Sequence, residues 1–320
     1  MERLDAFMAR AASAYYAKGD GIGRDFTTAP EMSQAFGECL GLWAAITWQS
    51  MGSPGRVILA ELGPGRGTLM ADALRAVDEM MPAFAHAAEL HLVETSPALR
   101  AAQAAMLQGR VAAWHADAAT LPDGPAILIA NEFFDALPIR QFVKRDLWRE
   151  RFVVADRFVE QPSDHNEPAP EGSIREIGDT ALAIAAGLGQ RITQQGGALL
   201  ILDYGPAESG FGDTLQALRG NAPCDPLAKP GEADITAHVD FAALARASGA
   251  AAHGPLPMGL FLQRLGLMAR SAMLAQAAPA QAGAILAAAQ RLVSPEGMGR
   301  LFKAMVLAHP GLSTPAGFEA

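Results

Sequence analysis

Apolar residues in this chain come in short unbroken runs, and the runs alternate with longer stretches of helical period. Val57-Ile58-Leu59-Ala60 is followed by an acid, a glycine-containing turn and a helical pattern over residues 69–80. Leu90-His91-Leu92-Val93-Glu94 is a second run, and Ser96 and Pro97 behind it read as the cap and first position of a helix over residues 97–108. Residues 111–114 and Ala126-Ile127-Leu128-Ile129-Ala130 give a third and a fourth run. A continuous apolar run between turn signals reads as a strand buried on both faces. Strands that alternate with helices predict a parallel, doubly wound sheet. Upstream, residues 1–18 read as an amphipathic helix and residues 19–30 as a polar loop. Residues 31–51 read as a helix packed on the core through Met32, Phe36, Leu40, Trp43 and Ile46.

After Pro138 the rhythm breaks. Residues 141–160 alternate apolar and polar positions, which predicts antiparallel strands, and residues 162–172 form a polar loop. The pattern then predicts a helix over 173–195, a fifth parallel strand over 198–203, an irregular Pro- and Gly-rich stretch over 215–234 and a helix over 241–248. Residues 259–292 read as Ala-rich helix interrupted at Pro279, and residues 302–308 as a late strand. The expected organisation is an N-terminal helical segment and loop over 1–53, then a core over 54–320 with insertions at 141–172 and 259–295.

Composition narrows the classes. Half of the 320 residues are apolar and 18% are charged, enough for a sizeable core. A net charge of -9 argues against a nucleic-acid partner, whose phosphates need a basic face. Arg140, Lys144, Arg145, Arg149, Arg151 and Arg157 cluster, but Asp146, Glu150 and Asp156 interleave with them, so a solvated mixed-charge surface is expected. Cys39 and Cys224 are too few for a disulfide framework. Met1-Glu2-Arg3-Leu4-Asp5 lacks the basic start and apolar core of a secretory signal. No stretch reaches the roughly 18–20 apolar residues of a membrane span. The expectation is a soluble cytoplasmic chain.

The chemistry concentrates where strands end, because ligands of open parallel sheets sit at the carboxyl ends of the strands. Gly63, Gly65 and Gly67 follow the first strand at every second position. A dinucleotide fingerprint wants G-x-G-x-x-G, and position 68 is Thr. The spacing fits better the loop that cradles S-adenosylmethionine in Rossmann-like methyltransferases. Glu61, Glu94, Asp117 and Asn131 each close an apolar run. Glu94 is placed to accept both ribose hydroxyls of an adenosine, a position that also suits NAD. Asp117 is placed to accept from an adenine amino group, and Glu61 to hold an α-amino group by a charge-assisted bond. Asn131-Glu132-Phe133-Phe134-Asp135 leaves the fourth strand with two carboxylates and two aromatics, a set that suits a cation. A guanidinium matches it, since it stays protonated and is a poor nucleophile until carboxylates localise its charge. The plainer alternative is that both phenylalanines are core and the acids cap the next turn. His115, His238 and His253 are scattered without metal-ligand spacing, and Asp234 to Asp240 reads as a turn and helix cap rather than a metal site. No metal is expected.

Taken together, these segments resemble the MidA-type methyltransferases, a family that includes a mitochondrial complex I assembly factor. The resemblance rests on Phe26-Thr27-Thr28-Ala29-Pro30-Glu31-Met32-Ser33-Gln34, on the glycine turn from Glu61 to Leu69, on Val93-Glu94 and on Asn131-Glu132-Phe133-Phe134-Asp135-Ala136-Leu137-Pro138. It continues through Leu202-Asp203-Tyr204-Gly205, Asp234-Ile235-Thr236-Ala237-His238-Val239-Asp240-Phe241 and Gly297-Met298-Gly299-Arg300-Leu301-Phe302-Lys303. It implies an α/β fold of the Rossmann-like class I methyltransferase type: a seven-stranded, mostly parallel sheet with inserted strands and a helical cap. It implies S-adenosyl-L-methionine as donor and methylation of a protein arginine, with a respiratory NADH dehydrogenase subunit as the candidate partner and a homodimer as a further expectation. Glu61, Gly63, Gly65, Gly67 and Glu94 fall at the implied donor site, with Asp117 and Asn131 beside them. The loop holding Thr28 and Pro30 is expected to close over the donor. On the acceptor side the expectation is Glu132 and Asp135, with Phe133 or Phe134 as a wall. The chain departs from the family pattern at Arg24-Asp25-Phe26 and at Pro257-Met258, both expected to border the substrate channel. Two rival readings are a non-catalytic assembly or scaffold protein that keeps the fold, and an NAD(P) oxidoreductase. Thr68 and the lack of a hydride-transfer His or Tyr–Lys pair speak against the latter.

Overall fold

The apolar runs pair side by side. The computed structural model describes residues 1–319 apart from 20, 22–24 and 26. Arg24 and Phe26, which carry one departure and one end of a family segment, therefore lie outside the described residues. The central sheet has seven strands: β1 (Val57–Leu62), β2 (Ala88–Val93), β3 (Val111–His115), β4 (Ala126–Asn131), β5 (Gly197–Tyr204), β6 (Ala251–Pro257) and β7 (Phe302–Ala308), in the order β6-β7-β5-β4-β1-β2-β3. All neighbours from β3 to β5 pair in parallel, and β7 runs antiparallel between β5 and β6.

Alternate residues of each strand feed two cores, so both faces must be covered, as parallel sheets require. Val57 and Leu59 face a core with Phe36, Leu40 and Trp43 of helix α1 (Gln34–Ser50) and Leu69 and Ala73 of helix α2 (Thr68–Met80). Ile58, Ala60 and Leu62 face the other, with Ala185, Leu188 and Ile192 of helix α3 (Asp179–Gln195) and Phe241 and Leu244. Ser96 and Pro97 start the helix Pro97–Leu107 as the sequence predicts, the Ser96 hydroxyl accepting from the Leu99 N–H at 3.3 Å.

Residues 140–177 and 216–236 form a cap, whereas the helices within the expected insertion 259–295 pack on the first core through Phe261, Leu262, Leu267, Ala289 and Leu292. Strands Arg140–Lys144, Trp148–Val154, Arg157–Pro162 and Ile174–Ile177 make an antiparallel sheet that also takes in Glu2–Arg3. Gln216–Arg219, Ala222–Cys224 and Asp234–Thr236 make a small second sheet. The N-terminal helix Leu4–Tyr16 packs Leu4, Phe7, Met8 and Ala11 against Val153, Ala217 and Ile235 of these sheets and against Ala237 just beyond them.

Several local readings change. Ile46 is exposed rather than packed on the core, and Ser33, in extended backbone, separates a short helix Ala29–Met32 from the helix Gln34–Ser50. Residues 174–177 are strand rather than the first turn of a helix, because they pair with residues 140–143. Residues 215–234 contain paired strands rather than irregular chain. Residues 251–257, which carry no strand pattern, form the sheet's edge strand, where Gly254, Pro255 and Pro257 are tolerated. Met258 is fully buried in the first core beside Phe261 and Leu262, so this departure lies away from the cleft it was expected to border.

Candidate functional site

β1 and β4 are neighbours, but the chain leaves them toward opposite edges of the sheet. A crevice opens at such a switch point. Here it is a cleft of about 1730 Å³, lined by the glycine turn, the ends of β2 and β4, the cap and the N-terminal helix. The volume exceeds the roughly 300–1,000 Å³ of a single small-molecule pocket.

At one end lies the glycine turn. Gly63, Gly65 and Gly67 all have positive φ (64°, 54° and 88°), conformations that cost other residues strain. At Gly63 a Cβ would also fall 2.9 Å from the Phe133 ring. Glu61 is buried, and its Oε2 has no hydrogen-bond partner. Burial pushes its carboxyl up to about 8. Glu94 accepts from the Ser96 N–H at 2.7 Å and from the Gln103 amide at 3.3 Å, and burial raises it too. The same Gln103 amide donates to the Gly65 carbonyl at 2.7 Å, while its oxygen accepts from the Trp114 indole at 2.8 Å. One fully buried side chain thus joins the glycine turn, the end of β2 and β3. Asp117 lies on the cleft wall, exposed, with Oδ1 accepting from the Ala119 N–H at 2.9 Å.

The segment around Thr28 and Pro30, both on the cleft wall, is fastened at two points. Glu31 pairs with Arg66 and accepts from the Thr68 hydroxyl at 2.6 Å. Ala29 N–H donates to Glu132 Oε1 at 3.1 Å.

Glu132 opens the other end. Its φ of 49° is unusual for a residue with a side chain. The cause lies in Asp203, at the end of β5 and fully buried. Asp203 Oδ2 accepts from the backbone N–H groups of Phe133 (3.2 Å), Phe134 (3.0 Å) and Asp135 (3.2 Å), and Oδ1 from that of Tyr204 (2.9 Å). The turn wraps its amides around a carboxylate, an anion nest built from one protein side chain. Burial pushes Asp203 up to about 7 against the pull of these four donors. Glu132, half-buried, is pushed by desolvation to about 7, while the Ala29 N–H and the Asn131 amide (3.2 Å) favour its charged form. Asp135 is driven well above the usual carboxylate range by burial and by Asp203, Asp234 and Glu132. Its Oδ1 has no partner. Phe133 lines the cleft, whereas Phe134 turns into the core beneath, edge-on to it with ring centroids 5.2 Å apart. The wall is Phe133.

Apart from Phe134, every site residue named from sequence therefore borders this one cleft or its glycine turn. Sequence reasoning missed Asp203, Gln103, Tyr16 and Asp234. Asp203 carried the same signal as Glu61 and Glu94, an acid closing an apolar run. Asp240 does cap a helix, accepting from the Ala243 N–H at 2.8 Å. The basic cluster is largely paired, Arg140 with Glu150, Arg145 with Glu160 and Arg151 with Asp213.

A cradle that Cβ atoms would fill, an orphaned buried carboxyl and acids at successive strand ends fit an adenosine carrying an amino-acid tail. With β7 antiparallel between β5 and β6, these features define a nucleoside-dependent methyltransferase of the Rossmann-like class. Residues 39–256 match the model of the S-adenosyl-L-methionine-dependent methyltransferase family, and the chain belongs to that family. Protein arginine methyltransferase NDUFAF7, mitochondrial, of Danio rerio is 34% identical over 330 residues, covering 90% of this chain and 78% of that protein. The Homo sapiens protein of the same name is 33% identical, with 96% and 79% covered. A Burkholderia thailandensis structure bound to S-adenosyl-homocysteine superposes with a TM-score of 0.83 at 26% identity, covering 98% of this chain and 89% of that one. The donor is S-adenosylmethionine. The expected cytoplasmic location is overturned, since these relatives are named as mitochondrial. That expectation rested on the lack of a secretory signal, and a mitochondrial address is amphipathic and Arg-rich rather than apolar. Among the described residues no helix is long and apolar enough to cross a membrane.

Proposed function

We propose that this methyltransferase acts on an arginine side chain of a protein, with a respiratory NADH dehydrogenase subunit as the candidate acceptor. The observation that carries the reading is the turn over residues 131–135, which holds the buried carboxyl of Asp135 and the half-buried one of Glu132 beside the Phe133 ring, with no lysine or arginine to neutralise them among the described residues. Buried acids without a cation are costly and suit a cationic ligand. Relatives named as protein arginine methyltransferases support the same acceptor class.

The bound donor supplies an electrophilic methyl on a sulfonium, with a neutral thioether as leaving group. Glu94 takes the ribose diol, Glu61 the α-ammonium and Asp117 the adenine amino group. Gly63, Gly65 and Gly67 admit the donor closely. Asn131 orients the Glu132 carboxyl through its amide. Thr28 and Pro30 cover the donor and exclude water, held by Glu31 on Arg66 and Thr68. Glu132 and Asp135 localise the guanidinium charge on the far nitrogens, which frees a lone pair on the one that attacks. The nitrogen's proton passes to a carboxylate whose affinity for it is raised toward neutrality. The same reading keeps residues 1–53 as an N-terminal segment bearing the closing loop, and residues 54–320 as the core with insertions at 141–172 and 259–295.

Incubation with methyl-labelled donor and cell extract, followed by mass spectrometry, tests the reading. Label on arginine side chains of a protein is expected. Label on lysine, on a carboxyl group or on a small molecule overturns it.

A further inference from the structure

Asp234 reaches the cleft from the cap rather than from the central sheet. It starts the strand Asp234–Thr236, and the segment is docked directly on the acceptor turn, with the Ala237 N–H donating to the Asp135 carbonyl at 3.0 Å. Asp234 is 7% exposed and lines the cleft. Its Oδ1 accepts from the Tyr16 hydroxyl at 2.7 Å, at the end of the helix Leu4–Tyr16. Tyr16 is itself anchored: its carbonyl accepts from the Ser96 hydroxyl at 2.8 Å, and its ring stands edge-on to Tyr15.

The acids around this end differ in how they are satisfied. Asp203 has four backbone donors. Glu132 has the Ala29 N–H and the Asn131 amide. Among the described residues Asp135 Oδ1 has none, and Asp234 has the Tyr16 phenol alone. The charge of Asp234 is felt at both Glu132 and Asp135. Three neighbouring acids of one sign, with no arginine or lysine paired to them among the described residues, call for a cation from outside. A guanidinium carries five N–H donors spread around one plane, so it engages carboxylates supplied from two walls at once. A primary ammonium is a point charge with no such second edge.

Resting on the arginine reading above, we propose that Asp234 is a third substrate-binding carboxylate, which meets the guanidinium edge that Glu132 and Asp135 leave free, and that Tyr16 is the residue positioning it. The N-terminal helix would then help set acceptor specificity.

The test uses the full chain saturated with S-adenosyl-homocysteine and the peptides Gly-Gly-Arg-Gly-Gly and Gly-Gly-Lys-Gly-Gly, with binding followed by calorimetry. Asp234→Asn keeps the shape and the acceptor oxygen facing Tyr16. It is expected to weaken the arginine peptide about 10-fold, to narrow the preference for arginine over lysine, and to leave S-adenosyl-homocysteine affinity unchanged, which also reports that the variant is folded. Tyr16→Phe is expected to weaken the arginine peptide less, and the double variant to be no worse than Asp234→Asn alone. Additive losses would show that Tyr16 does not act through Asp234. Wild-type affinity in Asp234→Asn, with affinity lost in Asp135→Asn, overturns the assignment while the arginine reading stands. No preference for the arginine peptide in the wild type overturns the arginine reading, and this assignment with it.

Discussion

At the donor end of the cleft, Gln103 engages both halves of its amide, and Glu94 takes a backbone and a side-chain donor. At the acceptor end, Asp135 keeps an oxygen with no partner, and Glu132 sits in a left-handed conformation held open by a buried aspartate. The first end is assembled mostly from residues near one another in sequence, a strand, a turn and a helix start. The second draws on residues 16, 132–135, 203 and 234, brought together by the sheet and the cap. A short-range site can be nearly complete before its ligand arrives, with Glu61 Oε2 the oxygen still open here. A long-range site of like charges is complete only when the ligand supplies the missing cation.

The sharpest way to break this comparison is Glu132→Gln, which should lower turnover about 100-fold while donor affinity stays nearly constant. Methyl-transfer rates set beside calorimetry with S-adenosyl-homocysteine decide it. Donor binding lost with turnover per bound donor intact would place Glu132 on the wrong side.

Gly63→Ala probes a contact shared by both ends. The positive φ and the approach to Phe133 predict a loss of donor affinity of about 10-fold, with a further loss of acceptor binding as the ring shifts. If acceptor binding is untouched, the two ends are more independent than described.

Titration sharpens the comparison without a substrate. Burial pushes Glu61 to about 8, Glu132 to about 7 and Asp234 to about 6, above their ordinary 4.5, 4.5 and 3.8. Groups raised in this way contribute stability that is present at low pH and lost as pH rises through the folded values. His91, His115, His238 and His253 are lowered by burial, and their effect is over by about pH 6.5. Between about pH 6.5 and 8.5 the melting temperature of the ligand-free protein should therefore fall, and Glu61→Gln should flatten the fall. A rising or level curve in the wild type contradicts the burial argument.

The smallest effect belongs to Glu31→Ala. Its partner Arg66 is 42% exposed, so stability should change by no more than about 1 kcal/mol. The donor should leave faster, by about threefold, in stopped-flow displacement. An unchanged off-rate would deny the segment over residues 28–33 its closing role.

Much of the donor end was legible because its signals are local. Four apolar residues, an acid and alternating glycines specify a strand and a turn whatever surrounds them, and Ser96-Pro97 specifies a helix start. The cap was less legible. Residues 174–177 place two isoleucines three apart, a spacing that suits a helix as well as a strand, and only pairing with residues 140–143 decides between them. The strands of three and four residues within 216–236 are too short for a period to show. Asp203 was visible as a strand-end acid, but nothing near it tells that its partners lie about seventy residues back.

The hydroxyl contact between Tyr16 and Asp234 spans 218 positions. The N-terminal helix therefore leaves the ribosome long before the strands that cover Leu4, Phe7 and Met8. At ordinary rates of translation that apolar stripe waits uncovered for on the order of ten seconds or more. It is a natural handle for chaperones, and the nascent chain is most prone to aggregate during that interval.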